Sequence, residues 1–470
     1  MAVKAILNED QKDAFKAIQK FISHPAANTF VLKGYAGTGK TFLMQHLALW
    51  LSENEYKFSL LASTGRAAAV LRGKTGITTK TVHSELYRLH KVDGADNDLP
   101  DGTPEEQYGQ MTLLFSLRPP DNDRRIYIVD ESSMLSNYSE EDVTALSFGS
   151  GNLLGDFFAA AGSNKIIFVG DPGQLPPVRQ IFSPALEMDW LAKQQRIGVT
   201  TTLKKIERNN PDNDILALAS IIRDMSLAEN PPTFPSLPAL NMNNVRVLAD
   251  DKVLFRSYFT KFQEVGADGT IAIARSNKTV SDINRAFRRD KYGKEDISLQ
   301  VGEILLVTHN NYAYPLTNGD FVSVCEVGEL SIVGNLQFQK IKIKALLSGT
   351  EFDMIISLDI LYGNQNNFSE YQARSLMIDF NRRMKKKKIK PNSQKYKDKM
   401  MKDDILNCLR AKYGYAVTCH KAQGGEWNDV FLFLDKKMYG MSRPELFRWW
   451  YTAVTRAKRN LYLSNNWWIR

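Results

Sequence analysis

The chain of 470 residues is 43% hydrophobic and 24% charged, which is ordinary globular usage and excludes a disordered or fibrous protein. At this length we expect about three folded units rather than one. The formal net charge of +9 favours polyanionic partners, although many proteins that never bind nucleic acid carry a similar excess. Three cysteines occur, without a CxxC pair, which argues against disulfides and structural zinc.

The sequence contains no apolar run near the roughly 20 residues that a membrane-spanning helix needs. Its longest apolar stretches, such as 126–129 and 166–169, have the length of strands. The first eleven residues lack an apolar core and a small-residue cleavage site. We therefore expect a cytoplasmic protein that is not secreted and has no membrane partner.

Short β-rich runs alternate with helical stretches from residue 29 to about residue 178. This rhythm predicts a parallel sheet with helices on both faces. A second set of such runs, at 271–274, 416–418, 430–434 and 461–463, predicts a second α/β domain that is discontinuous in sequence. The predicted fold class is therefore α/β, with two parallel-sheet domains.

Two interruptions of this pattern predict inserted units. Residues 86–122 are polar and contain several glycines and prolines around one apolar run, 111–117, which predicts a small insertion such as a hairpin. Residues 301–404 combine a β-patterned stretch with a basic segment at 382–402, which predicts a small β-barrel with a charged extension. The predicted domains are residues 1–200 with the insertion at about 86–122, residues 201–300 together with 405–470, and the inserted residues 301–404.

The segment 34–41, GYAGTGKT, fits the phosphate-binding pattern GxxxxGK[ST], and it lies between a strand-like run and a helical run. Its glycines let backbone amides close around phosphates, Lys40 supplies charge to the β- and γ-phosphates, and Thr41 places a hydroxyl on Mg²⁺. A plain glycine turn is the alternative, which the flanking strand and helix disfavour. The predicted nucleotide-binding residues of this loop are Gly37, Thr38, Gly39, Lys40 and Thr41.

The apolar run 126–129 ends in two carboxylates, as the second motif of such a phosphate site should. Asp130 is predicted to hold Mg²⁺ through its hydration shell, and Glu131 to polarise the attacking water. A buried strand that ends in acids is common, so this assignment depends on the loop around Lys40. Upstream, the amide of Gln11 could read an adenine edge, and a helix-surface position is the alternative for this residue.

The segment 168–178, FVGDPGQLPPV, resembles the third motif of superfamily 1 helicases. With the segment 130–134, DESSM, it resembles the RecD and Dda group, which is the 5′-to-3′ branch or superfamily 1B, and less the UvrD and Rep group. The resemblance implies two RecA-like P-loop domains that use ATP and Mg²⁺ as cofactors. It also implies that Gln174 senses the γ-phosphate and couples it to the grip on DNA.

Five further segments resemble motifs of the same family: 62–68, 81–84, 203–208, 417–424 and 451–457. They imply that Arg208 and Arg456 are arginine fingers, which stabilise a phosphoryl-transfer transition state. For an arbitrary arginine, a surface ion pair is the alternative. The implied DNA-binding residues are Thr64, Gly65, Arg66, His83, Ser84, Asn277, Lys278, Thr418 and His420. For the two histidines, a satisfied core position is the alternative.

In this family an insertion of the first domain splits the duplex, which makes Phe115 of the run 111–117 the candidate wedge. An ordinary hydrophobic contact within a hairpin is the alternative for this ring. The basic segment 382–402 could follow phosphates or the displaced strand, and a solvated helix face or a mobile arm is the alternative.

The predicted function is an ATP-dependent DNA helicase that translocates 5′ to 3′ on single-stranded DNA and unwinds duplexes. Its expected partners are single-stranded DNA and single-strand/duplex junctions, and it is expected to act as a monomer. One alternative is a translocase that strips proteins from single strands without robust unwinding. A P-loop kinase is a second alternative, which Gln174 and the two distal arginines disfavour. A nucleotide-gated DNA clamp is a third, which the presence of Glu131, Arg208 and Arg456 disfavours.

Overall fold

A computed structural model describes residues 6–93, 112–119, 123–138, 146–206, 213–293, 298–311 and 313–470. The helices of these residues are α1 (Glu9–Ser23), α2 (Lys40–Glu53), α3 (Gly65–Thr75), α4 (Val82–Leu86), α5 (Leu153–Ala161), α6 (Met188–Lys193), α7 (Asp214–Leu227), α8 (Asp251–Gly269), α9 (Asn277–Tyr292), α10 (Leu358–Tyr362), α11 (Glu370–Lys386), α12 (Gln394–Met401), α13 (Cys419–Ala422) and α14 (Arg443–Val454). None of these helices combines the length and the apolar character that crossing a membrane requires.

The strands of the described residues form four sheets. They are β1 (Thr29–Gly34), β2 (Phe58–Ala62), β3 (Thr79–Thr81), β4 (Tyr87–Asp93), β5 (Thr112–Leu117), β6 (Ile126–Asp130), β7 (Leu146–Phe148), β8 (Lys165–Gly170), β9 (Gly198–Leu203), β10 (Val245–Leu248), β11 (Thr270–Ala274), β12 (Ile304–Val307), β13 (Phe321–Val333), β14 (Leu336–Ala345), β15 (Glu351–Ser357), β16 (Ala411–Tyr413), β17 (Ala416–Thr418), β18 (Trp427–Phe433) and β19 (Ala457–Ser464).

The first sheet is parallel and has the strand order β3-β2-β6-β8-β1-β9. Its inner strands β1, β6 and β8 are almost continuously buried and mostly apolar because helices cover both faces. Along β1, Phe30 and Leu32 pack with α1 and α2, whereas Val31 packs on the other face with α4 and α5. The loops that follow β1, β6 and β8 leave the same edge of the sheet, since these strands are parallel.

The second sheet is also parallel, with the order β10-β19-β18-β11-β17. One face packs against α7 and α14, and the other against α8 and α9. Trp450 and Trp468 are fully buried among these side chains. The two parallel sheets confirm the α/β fold class, which is that of two RecA-like domains.

A three-stranded sheet in the order β4-β5-β7 lies beside the first domain. β4 and β5 are antiparallel, so the hairpin that we expected within residues 86–122 is present. β7 adds a third strand parallel to β5. Residues 94–111, which connect β4 and β5, lie outside the described part of the chain.

The fourth sheet is antiparallel and has the order β15-β14-β13-β12-β16. Its two edges meet, because the amide of Leu409 donates to the carbonyl of Ile355 (2.7 Å) and the amide of Ser357 donates to that of Leu409 (3.1 Å). These bonds close the sheet into a small barrel around its own apolar core. The basic extension leaves the barrel between β15 and β16 and folds into α11 and α12. The residue bounds that we predicted for the domains remain a prediction.

Candidate nucleotide and nucleic-acid site

The loop between β1 and α2 has the tight backbone that a phosphate loop requires. Gly37 and Gly39 have φ angles of +81° and +77°, a left-handed region that favours glycine. A Cβ atom at Gly39 would lie 2.3 Å from Nε2 of Gln11, so a larger residue at this position would displace that side chain. The loop therefore depends on its glycines both for its turn and for its contact with α1.

Lys40 begins α2 and reaches back across this loop. Its Nζ donates to the carbonyl oxygens of Gly34 (2.7 Å) and Tyr35 (3.1 Å) and lies 3.9 Å from Oδ2 of Asp171. Asp171 follows β8, so Lys40 joins two of the loops at this edge of the sheet. The amine is thus held by protein oxygens at the place where a phosphate of the loop would need charge.

Two adjacent carboxylates end β6 at the same edge. Asp130 is buried, and burial together with the charge of Glu131 raises the pKa of its carboxyl. Glu131 has a φ of +50°, and its Oε2 is buried without a hydrogen-bond partner in the described part of the chain. A bound cation would compensate this concentration of negative charge, so the pair fits Mg²⁺. The described residues hold no cluster of three or more His, Cys, Asp or Glu side chains that could bind a metal alone.

These loops line one cavity of about 940 Å³ at the junction of the two parallel sheets and the barrel. The first domain contributes the loop around Lys40 together with Asp130, Glu131 and Gln174. The second domain contributes Gly424, Glu426, Thr455, Arg456 and Lys458, and the barrel contributes Leu346 and Leu347. Of the predicted nucleotide residues that the structure describes, all except Thr38 therefore line this one cavity.

Gln174 is buried at the end of the segment that follows β8, and its Oε1 has no partner among the described residues. The next residue is held from the second domain, because the amide of Leu175 donates to Oγ1 of Thr452 (2.9 Å) and Nε2 of Gln423 donates to the carbonyl of Leu175 (3.0 Å). A shift of this segment on nucleotide binding would therefore act directly on the second domain.

Tyr451 makes a second connection between the two domains. Its hydroxyl donates to Oδ2 of Asp171 (2.9 Å) and accepts from the amide of Ala36 (2.8 Å) in the phosphate loop. Burial and the carboxylate of Asp171 raise the pKa of this phenol, so it stays protonated and able to donate. The motifs at 451–457 and 417–424 contain Tyr451, Thr452 and Gln423 but did not predict a role for them. Their roles depend on contacts with loops that are distant in sequence.

Arg456 follows α14 and is only 4% exposed. Its Nε donates to the carbonyl of Thr452 (2.8 Å), its Nη1 to that of Gly425 (3.2 Å) and its Nη2 to Oγ1 of Thr455 (3.1 Å). The guanidinium is thus fixed at the cavity wall by neutral oxygens, none of which offsets its positive charge. Arg208, the other predicted finger, lies outside the described residues.

Comparisons with known proteins match both halves of the chain. A family model described as an AAA domain matches residues 6–228, and one described as a UvrD-like helicase C-terminal domain matches residues 413–464. The RecBCD enzyme subunit RecD of Buchnera aphidicola is 22% identical, covering 92% of this chain and 70% of its own length.

Two solved structures are similar over nearly the whole chain. A Pif1 helicase from Bacteroides in complex with ADP-AlF3 and ssDNA is 15% identical, with a TM-score of 0.50 over 99% of this chain and 95% of that one. A structure described as the basis of DNA unwinding at forked dsDNA by two coordinating Pif1 helicases is 14% identical, with a TM-score of 0.51 over 99% and 93% of the two chains.

The chain is a helicase, and it resembles the RecD group of superfamily 1B.

This helicase is therefore an enzyme of the DNA helicase class with ATPase activity, and it uses a nucleotide. Gln11 lies at the nucleotide cavity and both ends of its amide contact protein: Nε2 donates to the carbonyl of Thr38 (3.2 Å) and Oε1 accepts from the amide of Asn8 (3.1 Å). Any reading of an adenine edge would have to share or replace these bonds. Gln11 is not the helix-surface residue of the alternative interpretation.

Arg66, a predicted DNA-binding residue, lies at the nucleotide cavity. Its guanidinium carbon is 4.3 Å from the ring of Trp427 in the second domain and 5.0 Å from that of Phe321 in the barrel. Burial lowers the pKa of Arg66 to about 10, which still leaves it charged at neutral pH. Arg66 therefore joins three structural units of this helicase at the nucleotide cavity, an arrangement that the motif alone did not indicate.

A second cavity, of about 830 Å³, separates the second domain from the barrel. Predicted DNA residues Asn277, Lys278 and Thr418 line it. Further cations in its wall, which the sequence motifs did not indicate, are Arg285, Arg288, Lys412 and Lys421; of these, Arg285 pairs with Asp282 and Arg288 with Glu303. No carboxylate is among its described lining residues. We call this cavity the basic groove.

Two lysines of the basic groove are partly withdrawn from water. Burial lowers the pKa of both Lys412 and Lys421 to about 8. Lys412 donates to the carbonyls of Ile360 and Gly363, and Lys421 donates to Oδ1 of Asn318. A phosphate in the groove would favour the charged form of both amines.

The remaining predicted DNA residues do not line this groove. Thr64 caps α3 by accepting from the amide of Ala67 (3.2 Å), and Gly65 touches the barrel, where an added Cβ would lie 1.4 Å from Oγ1 of Thr317. Ser84 is exposed and donates to the carbonyl of Thr81 (2.9 Å). These positions stay predictions for the DNA contacts of the first domain.

Both predicted histidines are in surroundings that keep the imidazole neutral at pH 7. The ring of His83 lies 5.9 Å from that of Tyr87 and 6.2 Å from that of Phe148, and burial lowers its pKa to about 4. Burial also lowers the pKa of His420, on α13 beside the basic groove residue Lys421. Any contact with DNA would therefore use a neutral ring as donor or acceptor.

Phe115 is 6% exposed and its ring stacks on that of Phe148, 4.6 Å away, in the core that covers one face of the first sheet. A ring so covered cannot enter a base step without leaving this cluster. We therefore do not retain Phe115 as the wedge, because the apolar run that suggested it supplies core packing at this position. The alternative of a hydrophobic contact within the hairpin describes Phe115 better.

Proposed function

We propose that this helicase hydrolyses ATP with Mg²⁺, moves 5′ to 3′ along single-stranded DNA and unwinds duplexes. The observation that carries the proposal is the set of bonds from α14 to the first domain, in which Tyr451 contacts Asp171 and Ala36 and Thr452 contacts Leu175. These bonds connect the nucleotide cavity to the second domain, so a change of nucleotide can shift one domain against the other. The domain bounds, monomeric action and cytoplasmic location predicted from the sequence belong to this proposal.

The residues of the cavity fit roles in phosphoryl transfer. The amine of Lys40 and the guanidinium of Arg456 would contact the phosphates from opposite domains and stabilise their negative charge. Glu131 would orient and polarise the attacking water. Thr41 and Asp130 would hold Mg²⁺, which when bound neutralises charge on the phosphate oxygens. Arg208 keeps its proposed place as a second finger. The proposed nucleotide contacts are Gln11, Gly37, Thr38, Gly39, Lys40, Thr41 and Asp130.

The basic groove suits a single strand. It combines cations from the second domain and the barrel with the partly exposed ring of Tyr362, and single-strand binding uses cations for the backbone and rings for the bases. The similar Pif1 helicase from Bacteroides was solved in complex with ssDNA, which supports single-stranded DNA as a ligand of this fold. We propose that Asn277, Lys278 and Thr418 contact the strand here. Thr64, Gly65, Arg66, His83, Ser84 and His420 remain candidates for further contacts.

Translocation without robust unwinding is the second candidate function, because Phe115 is buried and no other wedge has been identified among the described residues. The experiment that separates the two is ATP hydrolysis with and without single-stranded DNA, followed by unwinding of duplexes with either a 5′ or a 3′ single-stranded tail. We expect stimulated hydrolysis and opening from the 5′ tail. Stimulation without opening would favour the translocase, opening from the 3′ tail would reverse the direction, and no stimulation by any nucleic acid would favour a kinase.

Replacement of Gln174 by alanine is expected to lower the ratio of DNA-stimulated to basal ATP hydrolysis by about tenfold, the effect of one lost hydrogen bond to a charged group. The buried Oε1 of Gln174 has no partner among the described residues, while the adjacent Leu175 is bonded to the second domain. Gln194→Ala, at an exposed position after α6, is the matched control and should leave the ratio unchanged. A Gln174→Ala protein with the wild-type ratio would remove the coupling role.

A further inference from the structure

The net charge of the chain is concentrated in the extension of the barrel. Residues 370–402 contain twelve Lys and Arg and three Asp and Glu, a net charge of +9, which equals the formal net charge of all 470 residues. The rest of the chain therefore carries no formal net charge. Within the extension, Glu370 is engaged by Arg374, and Asp379 by Arg383. Most of its lysines consequently have no carboxylate of the extension available to neutralise them.

The extension is a folded unit. α11 and α12 enclose a small apolar core of their own, formed by Met377, Ile378, Phe380, Met384, Ile389, Tyr396 and Met400. Both helices have side-chain N-caps, Ser369 and Ser393. Arg383 also pairs with Asp403 beyond α12, which ties the C-terminal part of α11 to the segment that follows α12. The lysines are thus presented by a fixed scaffold, which we call the basic hairpin.

The basic hairpin and the basic groove lie on opposite faces of β14. Leu336 and Phe338 of this strand pack with Leu376 of α11, whereas Gln337 and Gln339, whose side chains point to the other face, line the groove. A nucleic acid that contacts the hairpin is therefore separated by the barrel wall from a strand in the groove. The hairpin accordingly offers a second surface rather than an extension of the first.

The chemistry of this second surface is that of phosphate contact without base stacking. Two of its three aromatic rings, Phe380 and Tyr396, are fully buried in the hairpin core. The third, Tyr371, is exposed but lies in the first turn of α11, about 16 Å along the helix from Arg382, where the cationic end begins. Single strands are usually bound by cations together with exposed rings, whereas a duplex hides its bases and presents a dense array of phosphates.

We propose that the basic hairpin binds the phosphate backbone of duplex DNA, as a site distinct from the basic groove. The inference rests on the proposed DNA-dependent function, since it places the duplex part of a junction across the barrel wall from a strand held in the groove. Lysines act as point charges on phosphates and carry no sequence information, so binding at this site is independent of sequence and strongly dependent on salt.

The test is a quadruple variant, Lys386→Gln, Lys387→Gln, Lys390→Gln and Lys395→Gln. All four lysines are exposed and outside the hairpin core, and Lys388 is left unchanged because its φ of +54° makes it a poor choice for substitution. Affinity for a blunt duplex and for a short oligo(dT) is measured by fluorescence anisotropy at several salt concentrations. The logarithm of duplex affinity falls linearly with the logarithm of salt concentration, and we expect the magnitude of this negative slope to decrease by about 2 to 4. Duplex affinity at moderate salt should fall at least about tenfold. Oligo(dT) affinity and the ATP hydrolysis that it stimulates should change by less than about twofold, because both depend on the groove and the nucleotide cavity.

The matched control removes the same charge elsewhere, with Lys16, Lys20, Lys193 and Lys252 replaced by Gln on exposed helix positions of the two α/β domains. If the control weakens duplex binding as much as the hairpin variant, the effect is one of net charge and the site is rejected. If the hairpin variant loses oligo(dT) affinity as much as duplex affinity, the hairpin serves the single strand and the duplex proposal is wrong. ATP hydrolysis of the wild-type protein is measured first, before either variant. If DNA does not stimulate it, the proposed function is contradicted, whatever the hairpin binds.

Discussion

Replacement of Lys40 by alanine is expected to lower ATP turnover by about 10² to 10³ or more, both with and without single-stranded DNA, the effect of removing one preorganised charge from a developing phosphate transition state. The amine is placed for this role by the carbonyls of Gly34 and Tyr35 and lies within 3.9 Å of Asp171. Binding of single-stranded DNA should persist, since Lys40 lies outside the basic groove. The measurement is the initial rate of phosphate release, with anisotropy of a labelled oligonucleotide on the same preparation.

The control for this prediction is Lys57→Ala. Lys57 is an exposed lysine of the same domain, bonded to Asp123 at 2.7 Å and remote from the cavity lining. Its loss should leave turnover within about twofold of the wild type, as for an ordinary surface ion pair. Turnover that survives in Lys40→Ala would mean that the loop at 34–41 is not the nucleotide site.

Replacement of Arg456 by alanine is expected to lower DNA-stimulated kcat by about 10³ to 10⁵, the range for arginine fingers in phosphoryl transfer. The KM for ATP should change far less, because the loop around Lys40 still binds the nucleotide and the arginine acts mainly in the transition state. The guanidinium also donates to the carbonyls of Thr452 and Gly425, so the thermal stability of the variant must be measured beside its kinetics.

Two companions make the Arg456 result interpretable. Arg456→Lys keeps the charge but not the three-way bonding of the guanidinium, and it should recover only part of the lost rate. Arg459→Ala, three residues further on and exposed, should behave as the wild type. A normal kcat in a folded Arg456→Ala protein would leave Arg208, or Arg66 at the same cavity, as the source of the charge.

The basic hairpin adds a structural reason for the net charge of the chain. The excess of cations is a property of one small folded unit on the barrel, and the basic groove owes its character to a few separate lysines and arginines. Removing the hairpin charge and removing the groove charge are therefore distinct perturbations. They allow contacts with duplex and with single-stranded DNA to be measured separately on one protein.

The sequence by itself determined the features that depend on neighbours along the chain. The phosphate loop, its strand and its helix are local, and the carboxylates of Asp130 and Glu131 follow an apolar strand whose end can be located by inspection. The α/β class, the inserted β-hairpin and the small barrel also followed from local periodicity. Apolar residues repeat about every two residues in a strand and about every 3.6 residues in a helix with one buried face.

Only the tertiary structure decided the features that depend on contacts between distant segments. The bond of Tyr451 to Asp171 joins residues 280 positions apart, and no local pattern selects it. The same is true of Arg66, which a motif assigned to DNA and the fold places between Trp427 and Phe321 at the nucleotide cavity. Phe115 was predicted as the wedge because it is an apolar residue in an insertion, and the sequence does not show whether its ring is exposed or buried. Side-chain environment is set by the packing of remote elements, and that packing is what a linear pattern does not contain.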